Sequence, residues 1–167
     1  MYFKKFIIAY DHRVGQKYIE TVTKILDEHG IEHVVLNDDK EGNDYPILAA
    51  ACYERYKKEK ADGMILLCGT GIGMNMAANK FKGIRSILAT EEYQAYFSRW
   101  HENANCIVFG PGYQFGENGV GDRKFEFKLC RRKMGRMLTT FINSGFEGGR
   151  HERRVNQLAK IDANEKL

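Results

Sequence analysis

The stretch LLCGTGIGMNMAANK, residues 66–80, closes an apolar run, passes through a cysteine and three glycines, and continues at helical spacing. Its lead-in, Gly63-Met64-Ile65-Leu66-Leu67-Cys68, lacks polar alternation and so suits a parallel strand buried on both faces. Strand, glycine turn and helix in that order form part of a βαβ unit, and such units build parallel sheets with right-handed crossovers.

The same alternation runs outward in both directions. Phe6-Ile7-Ile8-Ala9-Tyr10 reads as a strand, and 14–29 reads as a helix with Val14, Tyr18, Val22, Ile25 and Leu26 on one side. Gly30 stands where a helix cap would stop it. Val34-Val35-Leu36 is the next strand, and Pro46 opens a helix reaching Lys60. Beyond the glycine turn come a helix, a strand over 84–89, a helix over 91–100 and a strand over 105–109. A glycine-rich loop then leads to a helical pattern over about 123–142 and a polar helix from His151. The expected fold is α/β: a doubly wound, Rossmann-like three-layer sandwich with a five-stranded parallel sheet of order 2-1-3-4-5, plus C-terminal helices. Residues 1–167 are expected to form one domain, with a C-terminal helical extension over about 123–167.

Composition narrows the function. With 43% hydrophobic and 29% charged residues the chain is globular in make-up, and a net charge of +4 favours small anions without demanding nucleic acid. The N-terminal residues do not resemble a signal peptide, and no apolar stretch is long enough to span a bilayer, so no membrane partner is expected. Cys52, Cys68, Cys106 and Cys130 are far apart and include no C-x-x-C, which suggests neither a metal site nor a disulfide framework. A reduced, cytoplasmic protein fits best.

In open parallel sheets, ligands bind beyond the carboxyl ends of the strands where the strand order reverses, here between the first and third strands. Tyr10-Asp11-His12 and Cys68-Gly69-Thr70-Gly71-Ile72-Gly73 would meet there. Glycines permit a tight turn that presents backbone N–H groups to an anion. The loop lacks both the G-x-G-x-x-G dinucleotide spacing and the G-K-S/T of a P-loop, and taken alone it reads equally as a strand-to-helix turn. Cys68, at a strand end beside a helix N-terminus, is where a thiol pKa can fall. His101 is expected on the same loop side of the sheet, or else as a surface histidine. Tyr45 either walls the crevice or staples the helix after it. Arg150 and Arg154, four apart, share a helix face where two guanidinium groups can clamp a phosphate, although a solvated basic helix is the commoner meaning of such a run.

Asp11-His12, Asp44-Tyr45-Pro46, Cys68 to Met74 with Ala77-Ala78-Asn79-Lys80, Gly83-Ile84-Arg85, His101 with Asn105, and Glu147-Gly148-Gly149-Arg150-His151 follow one another in a familiar order. In this the chain resembles the type B ribose-5-phosphate isomerases, whose family includes the galactose-6-phosphate isomerase subunits. The resemblance implies a metal-independent, cofactor-free aldose–ketose isomerase that works through an enediolate, in a homodimer with the site shared between subunits, or in a tetramer made of two such dimers. Carried over, it makes Cys68 the base, Thr70 its assistant and His101 the acid that opens the sugar ring. Backbone groups of Gly69, Gly71 and Gly73 would hold the enediolate oxygen, Asp11 and Tyr45 would contact the sugar, and His12, Arg150 and Arg154 would hold the phosphate.

The chain departs from the family pattern in Arg13-Val14-Gly15 after His12, in Glu102 after His101, and in Phe109-Gly110-Pro111-Gly112, which lacks an arginine usual at the last position. Arg13 and Arg123 are candidate replacements. The stretch 117–144 is longer than is typical. Ribose 5-phosphate and ribulose 5-phosphate are the expected pair, with a hexose or tetrose phosphate as the alternative. Competing readings are a non-catalytic sugar-phosphate-binding subunit of a hetero-oligomer, or nucleic-acid binding through the basic run 131–136 and the C-terminal arginines, which no recognition motif supports.

Overall fold

A computed structural model describes residues 3–37, 44–112 and 129–167. Five parallel strands, β1 (Lys5–Tyr10), β2 (Glu32–Asn37), β3 (Gly63–Leu67), β4 (Ser86–Leu88) and β5 (Cys106–Phe109), alternate with α1 (Gln16–Glu28), α2 (Tyr45–Glu59), α3 (Ile72–Ala78) and α4 (Glu92–Trp100). Two further helices, α5 (Arg131–Asn143) and α6 (Arg150–Asp162), complete the described chain. The doubly wound α/β class is therefore as expected. The start of the expected helix over 123–142 and Arg123 itself lie outside the described residues.

The period-2 geometry of a strand sends alternate side chains to opposite faces. Phe6, Ile8, Ile65, Leu67, Ile107 and Phe109 pack on one face with α1 and α5. Ile7, Ala9, Met64, Leu66, Cys106 and Val108 pack on the other with α2 and α3. Both faces being covered, the strands need no polar alternation, which is why the apolar runs are legible.

The strand order is 2-1-3-5-4, not 2-1-3-4-5. β5 pairs with β3 on one side (Met64↔Cys106, Leu67↔Phe109) and with β4 on the other (Ser86↔Cys106, Leu88↔Val108). Burial explains the exchange: every residue of β5 is buried, whereas Ile87 and Leu88 of the three-residue β4 are only half-buried, so β4 makes the edge. The order still reverses between β1 and β3, and the ligand crevice stays where it is expected. Among the described residues no helix is long and apolar enough to cross a membrane.

Candidate active site

The carboxyl edge of the sheet gathers most of the residues singled out by the sequence. Asp11 follows β1, is 4% exposed, and its N–H donates to the Leu67 carbonyl at 3.2 Å. His12 follows it at the surface. Cys68 caps β3 and is 5% exposed. Its loop is held in place by backbone contacts: the Cys68 N–H donates to the Phe109 carbonyl at 3.3 Å and the Gly112 N–H to the Gly69 carbonyl at 2.9 Å.

The loop geometry requires glycine in two places. Gly71 is the N-cap of α3 with φ +74°, a left-handed conformation, and a Cβ there would lie 2.5 Å from Leu88. Gly110, which the sequence did not single out, lies so close to the loop that a Cβ would sit 2.2 Å from the Thr70 carbonyl oxygen. Thr70 is exposed, its Oγ1 accepting the Ile72 N–H at 3.3 Å. Tyr45 opens α2 with its ring against the backbone of Gly73, where a Cβ would lie 2.9 Å from two ring carbons. It therefore walls the crevice as well as starting its helix.

Burial raises the Cys68 thiol pKa above its ordinary value. Backbone hydrogen bonding at Met74, Gly71 and Thr70 pulls it back down, while the nearby Asp11 carboxylate adds to the rise. Desolvation outweighs the helix N-terminus, so the thiol in the unliganded chain is harder to ionise than its position in the sequence suggests.

His101, Arg150 and Arg154 are elsewhere. α4 starts beyond the carboxyl end of β4 and runs back, so His101, its C-cap, belongs to the amino edge, just ahead of β5. The expectation that His101 sits on the loop side with Cys68 is corrected by this return path. At about 3.3 Å per strand residue the two edges stand on the order of 15 Å apart. Trp100, the last residue of α4, accepts the Glu147 N–H at 3.0 Å, and Gly83, ahead of β4, donates its N–H to Asp162 Oδ2 at 2.8 Å. Helix α6 thus runs along the amino edge.

There the His101 and His151 rings stack face to face, with centroids 4.1 Å apart and an interplanar angle of 5°. His151, 2% exposed, has Nε2 2.9 Å from Glu147 Oε2 and 3.2 Å from Arg150 Nε, and Nδ1 3.4 Å from Arg154 Nη1. Sequence reasoning assigned no role to His151 or Glu147; their i,i+4 spacing was the available signal. Donor atoms of His101, Glu147 and His151 lie within 4.8 Å of one another. Parallel stacked rings do not converge their lone pairs on one point, and two guanidinium groups beside His151 oppose a cation, so this trio suits anion chemistry better than a metal.

Of the candidate replacements for the missing arginine, Arg13 is at the carboxyl edge, its N–H donating to Asp11 Oδ1 at 3.0 Å and its guanidinium 3.9 Å from Asp11 Oδ2.

A family model described as Ribose/Galactose Isomerase matches residues 6–158. Ribose-5-phosphate isomerase B of Escherichia coli (strain K12) is 32% identical over 95% of this chain and 97% of its own. A crystal structure of ribose 5-phosphate isomerase from Thermotoga maritima superimposes with a TM-score of 0.74 at 34% identity, covering 93% of this chain and 97% of the other. Ribose-5-phosphate isomerase B from Mycoplasma genitalium, crystallised with bound ribulose-5-phosphate, superimposes with a TM-score of 0.77 at 28% identity, covering 95% and 96%.

Proposed function

The chain belongs to the ribose/galactose isomerase family and is a sugar-phosphate isomerase, and from that premise we propose that it interconverts ribose 5-phosphate and ribulose 5-phosphate. The observation that carries the assignment to residues is the Cys68 sulfur, buried within reach of backbone N–H groups of its own glycine loop. In the open aldose, the Cys68 thiolate takes the proton from C2. The C2–H electron pair becomes the C1–C2 double bond, and negative charge collects on O1, where the N–H groups of Gly69, Gly71 and Gly73 receive it. The O2 hydroxyl proton then passes to O1, and return of the proton from Cys68 to C1 gives the ketose, with its carbonyl at C2. Thr70 assists Cys68, Asp11 and Tyr45 hold the sugar, and the reaction needs no metal or cofactor.

Because one chain keeps Cys68 and His101 at opposite edges of its sheet, we propose a homodimer, able to pair into tetramers. A second subunit would bring His101 to open the sugar ring and Arg150 and Arg154 to grip the phosphate, opposite His12. The apolar side chains exposed on α3 and α4, Ile72, Met76, Tyr93 and Phe97, support such a contact. The 167 residues would act as one domain. A reducing cytoplasm suits a mechanism that depends on a free thiol.

The test is isomerase activity of the purified protein on four-, five- and six-carbon aldose phosphates, with Cys68→Ala as control. Cysteine-dependent turnover of ribose 5-phosphate supports the proposal. Preference for a tetrose or hexose phosphate would change the substrate and keep the mechanism, and no turnover would favour a partner-dependent, non-catalytic subunit.

A further inference from the structure

At the amino edge, His151 touches every group assigned to ring opening and to the distal phosphate grip, yet the reaction as derived gives it nothing to do. It presents a face to His101, Nε2 to Glu147 and Arg150, and Nδ1 to Arg154. His101 comes from the end of α4, Glu147 from the α5–α6 connection, and both arginines from α6, so these are the titratable and charged groups that face the ring. Phe97 packs on His101 with centroids 4.8 Å apart, giving that ring a second apolar wall.

A neutral imidazole has one donor and one acceptor nitrogen, and which is which follows from its partners. With the proton on Nε2, the ring donates to the Glu147 carboxylate and Nδ1 accepts from Arg154; only Arg150 faces an N–H. With the proton on Nδ1, only the Arg150 bond survives: Glu147 faces a lone pair and Arg154 faces an N–H. A doubly protonated ring would set N–H groups and a positive charge against both guanidiniums. The neutral Nε2–H form is the one that satisfies most contacts, and burial, followed by the charge of His101, lowers the His151 pKa in the same direction.

We propose that His151 is a positioning residue of the isomerase, a neutral imidazole pinned as the Nε2–H tautomer by Glu147, which braces the His101 ring by stacking and aims the Arg154 guanidinium through Nδ1. The proposal rests on the isomerase reading above for the roles of His101 and Arg154. A stacked, buried platform of this kind removes rotamer freedom from two groups that must meet a substrate held partly by another subunit. The division of labour is specific. The hydrogen-bonding nitrogens serve the phosphate grip, which contributes uniform binding, and the ring face serves His101, which acts in a chemical step.

Two substitutions separate the functions. His151→Phe keeps a ring to stack on His101 and loses both nitrogens; KM for the sugar phosphate should rise about tenfold, as for loss of a hydrogen bond to a charged group, with kcat nearly unchanged. His151→Ala loses the stack as well, so kcat should fall in addition. A purely structural residue would lower Tm in both variants without this KM-against-kcat split. Glu147→Gln, at a partly exposed position, should raise KM to a smaller extent and loosen the tautomer preference. Ring-nitrogen NMR of the wild-type protein, with the signal assigned by its absence in the variants, should find His151 neutral and Nε2-protonated between pH 7 and 8.

An Nδ1–H tautomer, or KM and kcat of His151→Phe and Glu147→Gln equal to wild type while Arg154→Ala raises KM, would overturn the proposal. If the wild-type protein turns over no sugar phosphate, the isomerase reading fails by itself. The tautomer and the affinity for inorganic phosphate, expected about tenfold weaker in His151→Phe, then still decide whether His151 aims Arg154.

Discussion

The two edges of the sheet are built by different means. At the carboxyl edge the backbone does the work: Gly71 takes a left-handed conformation, Gly110 lets two loops touch, and Cys68 is buried against the N–H groups between them. At the amino edge side chains do the work, as a histidine stack, a carboxylate and two arginines organised by the first turns of α6. A backbone-built pocket is stiff and suits stabilising charge that develops in a reaction; a side-chain cluster on a helix end suits gripping an anion. On the proposed function, each edge supplies what the other lacks.

The strongest way to break this division is to disable one edge at a time. Cys68→Ala should lower kcat on the order of 10³-fold while leaving binding of the sugar phosphate nearly intact, since a general base acts in the chemical step. His101→Ala should impair turnover of the closed sugar. Mixed and re-associated, the two poor subunits should recover about a quarter of wild-type activity, because half the dimers are then mixed and each carries one intact site of two. No recovery, measured with sizing to verify exchange, would mean that the two edges never meet.

Gly110→Ala tests the stiffness of the carboxyl edge. The added methyl would lie 2.2 Å from the Thr70 carbonyl oxygen in the Cys68 loop, so the loop must move. Displacement of the loop by about 1 Å should cost on the order of 10²-fold in kcat/KM, with a loss of stability of about 1–3 kcal/mol readable by urea titration. Full activity would mean that the loop is more compliant than its contacts imply. At the amino edge Arg154→Ala should instead raise KM about tenfold with little change in kcat, because a remote phosphate grip binds ground and transition states alike.

Much of this was legible in the sequence, for physical reasons that also mark where reading stopped. Strands covered on both faces are continuous apolar runs, so all five could be found, and Gly71 could be read because a strand-to-helix turn needs it. The order of β4 and β5 was misread although a signal was there: Ile84 to Ala89 is interrupted by Arg85 and Ser86, whereas Cys106 to Phe109 is apolar throughout, as suits the strand that is paired on both sides. His101 was assigned to the wrong edge although the rule was available: in a βαβ unit the helix leaves from the carboxyl edge, so its last residue lies at the amino edge. The direction of the Cys68 shift depends on how tightly α2 and α3 close over β3, which no local signal reveals.

That shift has a kinetic consequence. A thiol held protonated by burial is a base only in the fraction that ionises, so kcat/KM should climb as pH rises through neutrality toward and beyond the ordinary thiol value. A profile already flat at pH 7 would mean that substrate binding, or a partner subunit, supplies enough N–H or positive charge to lower the pKa before proton transfer.

The smallest effect belongs to the amino edge and is one of stability. Burial and the neighbouring charge of His101 lower the His151 pKa from 6.5, so the folded protein binds this proton less readily than the unfolded chain does. The sign follows from linkage: stability from this group is complete above the unfolded value of 6.5 and is lost as pH falls toward and through the lowered folded value. Glu and Asp side chains titrate mostly near 4, so the loss begins before theirs. Wild-type Tm should therefore start to fall as pH drops below the ordinary imidazole value, and the difference in Tm between wild type and His151→Phe should change over that same window. A difference that stays constant from pH 7.5 to 5 would mean that His151 takes up its proton as easily in the folded protein as outside it. The ring would then be open to water and no longer held against His101, leaving the amino edge a looser cluster than the carboxyl edge.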